Sequence, residues 1–531
     1  MSHLAYRLNK QDQEAEVKLF GLILFLLALV VGILVRWNFI SHTKFPINDG
    51  GFFYQMIVEL MNNHFKLPEF SGYNHANIPF AYPPMGFYVT GAIHKITGVN
   101  VLTLLHYLPF LFSVFTIPVF YLFTKNFFDG NWVSRGMATL FYATLPRSFE
   151  WLVMGGGITR VLGLLFALIA CIFSARVFDE KGNWIDALLA SAFIGLTVLS
   201  HPVASLFLVF SLGVLFVYYW PVRLFKVIVM AIIAISISAP WWINVLTVHG
   251  VSPFIGATNT GHMDWFEAKY LLTLNFEYEN RHFLPVVSFL ALLGLFHKPR
   301  RQAIFLGMLV GLGYLIIPRG GVDLLTVYLA MLAAFGMEWV VKNISHITQQ
   351  DGNGNWNEYI QSLGSKIWLI FIVVYTFSGA YTYKYVDGKV ELHIDEENIA
   401  AMTWLREETN QDSKIIVLPS DESHRNWPND YLGEWLPAIS GRESLATVQG
   451  YEWMPDKFSG RVNNYLHLRS CVSSGIECIE NWQNQNECSA DYIYLGNISE
   501  AELIFADIKD RNGYEVVYEN DEAAIIKTPS R

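Results

Sequence analysis

Long apolar runs separated by short polar turns fill most of the chain, at about 18–40, 101–124, 134–150, 158–177, 185–200, 202–221, 225–246, 284–297, 302–317, 323–341 and 366–383. Unbroken runs of this kind predict membrane-spanning helices, each of which needs roughly 20 apolar residues. Several runs fall short of that length, yet the pattern as a whole predicts about eleven spans. Only Ser200-His201-Pro202 divides 185–200 from 202–221, which predicts a tight hairpin. Residues 1–17 are polar and carry no cleavable signal pattern. Between the first two runs lies a long mixed stretch, 41–100, where Tyr54, Gln55 and Glu59 recur at helical spacing and predict a short amphipathic helix. Tyr82-Pro83-Pro84 then predicts a stiff extended segment, because each proline fixes its own φ and restricts its predecessor. The segment 343–365 reads as a polar inside loop.

The pattern changes after the last run. Residues 396–531 read as a compact α+β domain, with helices near Glu396–Thr409 and Ser499–Arg511. Strands are expected at Lys414–Pro419, Tyr492–Leu495, Glu515–Glu519 and Ala523–Lys527. The expected fold is therefore a polytopic α-helical membrane protein with a C-terminal α+β extracytoplasmic domain. Its parts are a cytoplasmic N-terminus (1–17), a transmembrane domain (18–394) with a long first outer loop (41–100), and a soluble domain (395–531).

Composition sharpens this division. Of 531 residues, 53% are hydrophobic and 15% charged, well below the roughly 25% charge of a soluble domain. From Lys384 onward the chain holds 27 acidic and 13 basic side chains, whereas the preceding part holds 19 and 23. An acidic outer domain repels phosphate backbones and excludes nucleic acid as a partner. Lysines and arginines of the short loops, such as Lys125, Arg176, Lys181, Arg223, Lys226, Lys298, Arg300, Arg301 and Lys342, fall on one side. By the positive-inside rule that side is cytoplasmic, which puts the first loop, the segment after Trp241 and the C-terminal domain together outside a plasma membrane. Of the four cysteines, Cys171 lies in a span, and Cys471, Cys478 and Cys488 lie in the outer domain. Their spacing fits no zinc pattern; outside the cytoplasm one disulfide among the three is expected, with one thiol left over.

The candidate chemistry gathers at outer ends of the spans. Asp49, in Asn-Asp-Gly-Gly, follows the first run by about ten residues and faces the level of lipid head groups. It would serve either as a helix cap for the segment starting near Phe52 or as a catalytic carboxylate. Glu150, in Pro-Arg-Ser-Phe-Glu, is a candidate second carboxylate for an acid/base or metal pair. The glycines Gly155-Gly156-Gly157 open a helix and offer free N–H groups to an anion, or else allow close helix packing. Arg160 in the first turn of that helix opposes its dipole and wants an anionic partner. Arg319, in Pro-Arg-Gly-Gly, either pairs with Asp323 or binds a lipid phosphate. His249 and His262 lie on the same outer side, as does His201, read as a hydrogen-bonded hairpin residue; Trp241 and Trp242 read as interfacial anchors. In the soluble domain, Glu434-Trp435-Leu436-Pro437, Gly441-Arg442 and Gly450-Tyr451-Glu452-Trp453 suit sugar recognition by indole stacking beside an acid, or a packed turn with an Arg–Glu bridge.

With these residues in place, the chain resembles the GT-C superfamily of membrane glycosyltransferases, which includes protein O-mannosyltransferases, aminoarabinose transferases and oligosaccharyltransferases. The resemblance spans the whole layout. It rests on a short inside N-terminus, a long first outer loop with an early acidic residue, many spans and an outer C-terminal domain. It implies a sugar donor carried on a polyprenyl phosphate, transfer to a glycan, lipid or protein acceptor, and Asp49 as catalytic residue. Glu150 is the only match to the family's second acidic motif and lacks its Asp-x-Asp form, so a divalent metal on Asp49 and Glu150 is not assured. The Trp-Trp-Asp type motif of oligosaccharyltransferases is absent, which disfavours asparagine glycosylation. Arg160, Arg319, Tyr82, His249, His262 and Glu434 are then the candidates for donor and phosphate binding. Two rival classes are a membrane scaffold or assembly subunit with no catalysis and, because ionisable residues gather on one face rather than deep in helices, less favourably a transporter.

Overall fold

The computed structural model describes residues 2–128, 131–259, 284–296, 301–316, 321–348, 362–386, 392–418, 427–498, 502–509 and 511–529. Six helices are long and apolar enough to cross a membrane: Gln13–Ile40, Val101–Thr124, Gly157–Phe178, Leu224–His249, Asp323–Ser345 and Leu363–Tyr383. Four other apolar runs form shorter helices, Trp184–Val198, Pro202–Tyr218, Val286–Phe296 and Arg301–Leu315. Length and apolarity thus mark six spans among the described residues, and a count near eleven requires the short helices as well. Exposed apolar rows, such as Leu19, Ile23, Leu26 and Val30 on the first helix and Ile228, Ile232 and Ile235 on a later one, are what lipid contact demands.

The run 134–150 departs from expectation. Its helix, Trp132–Thr144, stops before Pro146, and a 3₁₀ turn (Pro146–Ser148) and a four-residue helix (Glu150–Val153) follow. Pro146 forces Leu145 into an extended backbone (φ −74°, ψ 117°). The helix therefore ends at this point, and the glycines follow the turn.

The first loop folds as expected in outline. Its helix spans Gly51–Asn62, with Gln55 Nε2 donating to Glu59 Oε1 at 2.8 Å one turn on. An antiparallel pair follows, β1 (Phe70–Ser71) and β2 (Ile78–Pro79), joined through a turn in which Asn74 and His75 have φ of +54° and +53°. That left-handed backbone is strained for non-glycine residues. It is held by reciprocal bonds to the C-terminal domain: Ser444 N donates to Asn74 Oδ1 at 2.6 Å, and Asn74 Nδ2 donates to Ser444 O at 3.0 Å.

The C-terminal sheet runs β4-β3-β5-β7-β6, from β3 (Lys414–Leu418), β4 (Glu443–Ser444), β5 (Tyr492–Leu495), β6 (Glu515–Glu519) and β7 (Ala524–Lys527). Strand β3 pairs in parallel with β4 and β5, and β7 pairs antiparallel with β5 and β6. Alternation sorts its side chains between two cores. Ile415, Val417, Tyr494 and Ile525 join a core that also contains Phe45, Phe52, Met56 and Leu60 of the first loop. Ile416, Leu418, Ile493, Leu495 and Ile526 pack on the other face with Leu468 and Trp482, which come from helices Pro455–Ser470 and Ile476–Gln485. Cys471 and Cys478 form a disulfide between those two helices, and Cys488 stays outside it. The C-terminal domain is thus seated on the first loop through a shared apolar core.

Candidate active site

Asp49 sits where three chain segments meet. Asn48 N donates to Leu392 O at 2.6 Å, and Gly155 N donates to Ile47 O at 3.0 Å. These bonds pin the backbone before Asp49 against the chain leading to the C-terminal domain and against the glycine turn. Asp49 does not cap its own helix. The N-cap is Gly50, at φ +127° and without a side-chain cap, a backbone that needs glycine. The carboxylate turns the other way, and Gly156 N donates to Asp49 Oδ1 at 2.9 Å.

The anion expected at the triple glycine is therefore supplied by the chain itself. Its glycines serve close approach: a Cβ on Gly155 would lie 2.2 Å from Asp49 O, and one on Gly156 would lie 2.3 Å from Asp49 Oδ2. Arg160, one turn into helix Gly157–Phe178, is the cation beside this carboxylate. Its Nη1 donates to Trp151 O at 2.7 Å, and its guanidinium lies 5.5 Å from the Trp151 ring centroid. Burial raises the Asp49 pKa, and Arg160 and the Gly156 N–H hold it back.

Tyr82 forms a second wall. Its hydroxyl lies 3.2 Å from Thr159 Oγ1, and its ring meets Phe53, Trp453 and His201 at centroid distances of 4.7, 5.5 and 6.4 Å. Burial pushes its phenol up to about 12, so it stays a neutral donor. His201 caps helix Pro202–Tyr218 by accepting from Ala204 N at 3.3 Å, the hairpin role expected of it.

The C-terminal domain grips the backbone on both sides of Asp49. Glu434 is buried and its Oε1 accepts from Gly50 N at 2.9 Å and Phe52 N at 3.2 Å. Trp435 Nε1 donates to Asn48 O at 2.9 Å, and Tyr73 OH donates to Glu434 O at 2.6 Å. The Arg–Glu bridge expected in this run does not form: Arg442 instead bonds Thr409 Oγ1 and the carbonyls of Arg406 and Thr409 at 2.6–3.0 Å. Burial and then the Asp49 charge push Glu434 up to about 8, and burial pushes Glu452 up to about 7. Glu452, half-buried beside Trp453, acts electrostatically on both Glu434 and Tyr82. Sequence reasoning read its run as suited to sugar recognition or as a packed turn and did not place Glu452 beside Glu434 and Tyr82. A carboxylate beside an indole was the one available signal.

Other candidates lie elsewhere. Glu150 is fully buried, and its Oε2 accepts from Tyr383 OH at 2.8 Å, a bond to the helix Leu363–Val386. His249 Nε2 lies 2.8 Å from Glu69 O and its ring 4.9 Å from Phe70, so it fastens the first-loop hairpin. Asp323 pairs with Arg147 at 3.7 Å. Arg319 and His262 lie outside the described residues. Among the described residues no group of three or more His, Cys, Asp or Glu side chains is arranged to hold a metal ion. Gly156 N occupies Asp49 Oδ1 and Tyr383 OH occupies Glu150 Oε2, and no step below is routed through a metal.

The fold is shared with solved structures of low sequence identity. The apo crystal structure of the Archaeoglobus fulgidus oligosaccharyltransferase superposes with a TM-score of 0.58 at 13% identity, covering 89% of this chain and 69% of that one. The archaeal oligosaccharyltransferase AglB from the same organism, in complex with an inhibitory peptide and a dolichol-phosphate, gives 0.56 at 13% identity over 96% and 74%. The arabinofuranosyltransferase AftD from Mycobacteria gives 0.52 at 12% identity, covering 96% of this chain but 40% of that larger one. No protein-family model matches the sequence, and no curated protein matches it.

Proposed function

We propose that this integral membrane protein is a glycosyltransferase that moves a sugar from a polyprenyl-phosphate donor to an extracytoplasmic acceptor with inversion. The observation that carries the reading is the half-buried carboxylate of Asp49, held by Gly156 N and under the charge of Arg160, where the first loop meets helix Gly157–Phe178. The dolichol-phosphate bound by a protein of the same fold supports the donor class. The N-terminus is assigned to the cytoplasm and the C-terminal domain to the outside. The Cys471–Cys478 disulfide supports this side, since disulfides persist in oxidising compartments.

In this mechanism the acceptor hydroxyl gives its proton to Asp49 as its oxygen bonds to the anomeric carbon. The bond from that carbon to the phosphate oxygen breaks, and its electron pair leaves with the polyprenyl phosphate. A buried carboxylate with a raised pKa is a stronger base, and Asp49 later returns its proton to water. Arg160 faces the growing negative charge on the leaving oxygen; among the described residues only one of its five N–H donors is bonded, to Trp151. Tyr82 supplies a neutral hydroxyl to the same space.

Asp49→Asn tests the reading. It keeps the size and can still accept from Gly156 N, but cannot take the proton. Transfer from a polyprenyl-phosphate sugar in detergent is expected to fall by about 10²–10⁴ while donor binding persists. Normal transfer by folded Asp49→Asn would reject this mechanism and favour a non-catalytic scaffold.

A further inference from the structure

Nothing in the chemistry above requires a residue of the C-terminal domain, yet that domain ends the helix that follows Asp49. A helix start leaves several N–H groups unpaired, and a glycine N-cap offers no side chain for them. Glu434 fills that role from the C-terminal domain, accepting from Gly50 N and Phe52 N, while Trp435 holds Asn48 O. The three grips flank Asp49 on both sides. Contact is close throughout, since a Cβ on Gly51 would lie 2.6 Å from Glu434 O and one on Gly50 would lie 3.1 Å from Trp435 Cζ2.

We infer that Glu434 and Trp435 are positioning residues that aim the Asp49 carboxylate, so that turnover requires the C-terminal domain to be seated on the first loop. The inference rests on Asp49 as the reacting group. Without the grips, Gly50 is free to leave its left-handed backbone, and Asp49 swings away from Gly156 and Arg160. Misplacement by about 1 Å typically costs 10²-fold in rate. The grip also has a pH signature. The titratable groups facing Glu434 are Asp49 and Tyr73 from the first loop and Glu452 from the turn Tyr451–Trp453, with Arg160 beyond Asp49. A neutral Glu434 still accepts both N–H bonds. Ionised, above about 8, it sets a second negative charge beside Asp49 and repels an anionic donor, so activity falls on the alkaline side.

The test uses the full chain in detergent, with amide exchange at Gly50 and Phe52 measured beside transfer kinetics. In Glu434→Ala both amides should exchange at least about tenfold faster. Its kcat should fall about 10²-fold with the donor KM nearly unchanged. Glu434→Gln, whose amide oxygen can accept the same bonds, should recover most of both losses and lack the alkaline limb near pH 8. If Glu434→Ala does not fold, Trp435→Phe carries the test. It keeps an aromatic ring beside Phe45 and loses the bond to Asn48 O together with the indole edge that packs on Gly50, so its kcat should fall at constant KM. Wild-type exchange in Glu434→Ala, wild-type kcat in Trp435→Phe, or a Glu434→Gln as damaged as Glu434→Ala would overturn the inference. The exchange readout needs no sugar transfer, so failure of the transferase reading leaves it interpretable.

Discussion

At the scale of single residues, Gly156 is as decisive for the site as Asp49. Its backbone is ordinary (φ −69°), so alanine there brings no conformational strain. The added Cβ would instead lie 2.3 Å from Asp49 Oδ2 and 2.9 Å from Oδ1, forcing the carboxylate off Gly156 N. Gly156→Ala is therefore expected to lower kcat about 10²-fold through misplacement, with little loss of thermal stability. Gly213→Ala, whose new Cβ would meet nothing within 4 Å, is the control in the same assay. A Gly156→Ala enzyme with normal turnover would remove Asp49 from the chemistry or show that its present contact is not the reactive one. Residues of this kind were partly legible. Asp49 stood out because a carboxylate beside two glycines, near a span end, is unusual. Its partner did not, since nothing in Asn-Asp-Gly-Gly says that the carboxylate reaches a glycine about a hundred residues on rather than its own helix. The triple glycine was read as offering N–H groups to an anion or allowing close packing, and in the structure Gly156 N bonds Asp49 while both Gly155 and Gly156 lie too close to Asp49 to carry a Cβ.

At the scale of elements, strands written as short, continuous apolar runs were legible almost to the residue, as with Lys414–Leu418 and Tyr492–Leu495. What escaped were elements whose composition argues against them. Helix Tyr431–Ser440 carries Leu432, Trp435 and Leu436 at helical spacing, but Gly433 and Pro437 inside it read as turn residues. Strand β4 has two residues and exists by pairing with β3, information that no local pattern holds. The two helices Pro455–Ser470 and Ile476–Gln485 are joined by the Cys471–Cys478 bond across a seven-residue separation. Closing so short a loop stabilises by about 2–3 kcal/mol in the chain-entropy view. Replacing both cysteines by serine should accordingly lower the denaturant midpoint of the C-terminal domain, read from Trp482 fluorescence. Asp49-dependent transfer should persist below the new midpoint. An unchanged midpoint would mean that the bond adds nothing beyond the Trp482 and Leu468 core.

For the whole molecule, the polytopic helical class was readable because span composition is a global property. The seating of the C-terminal domain was not, because its contacts join residues far apart. The proposed orientation can be checked on intact cells with an impermeant thiol reagent after mild reduction. Half-buried Cys478 and Cys488 should label, and Cys171, buried in a span, should not; labelling only after lysis would reverse the orientation. The Glu434 grip has a further consequence, for synthesis. Gly50 and Glu434 lie 384 positions apart, so at ribosomal speeds the first loop waits on the order of 20–80 s for its clamp. During that interval the spans insert while Asp49 hangs from an uncapped helix, unable to face Gly156 and Arg160 in its final pose. Competence would then arrive only once the C-terminal domain folds, and a translation product stalled before it would be a membrane protein with its chemistry still unassembled.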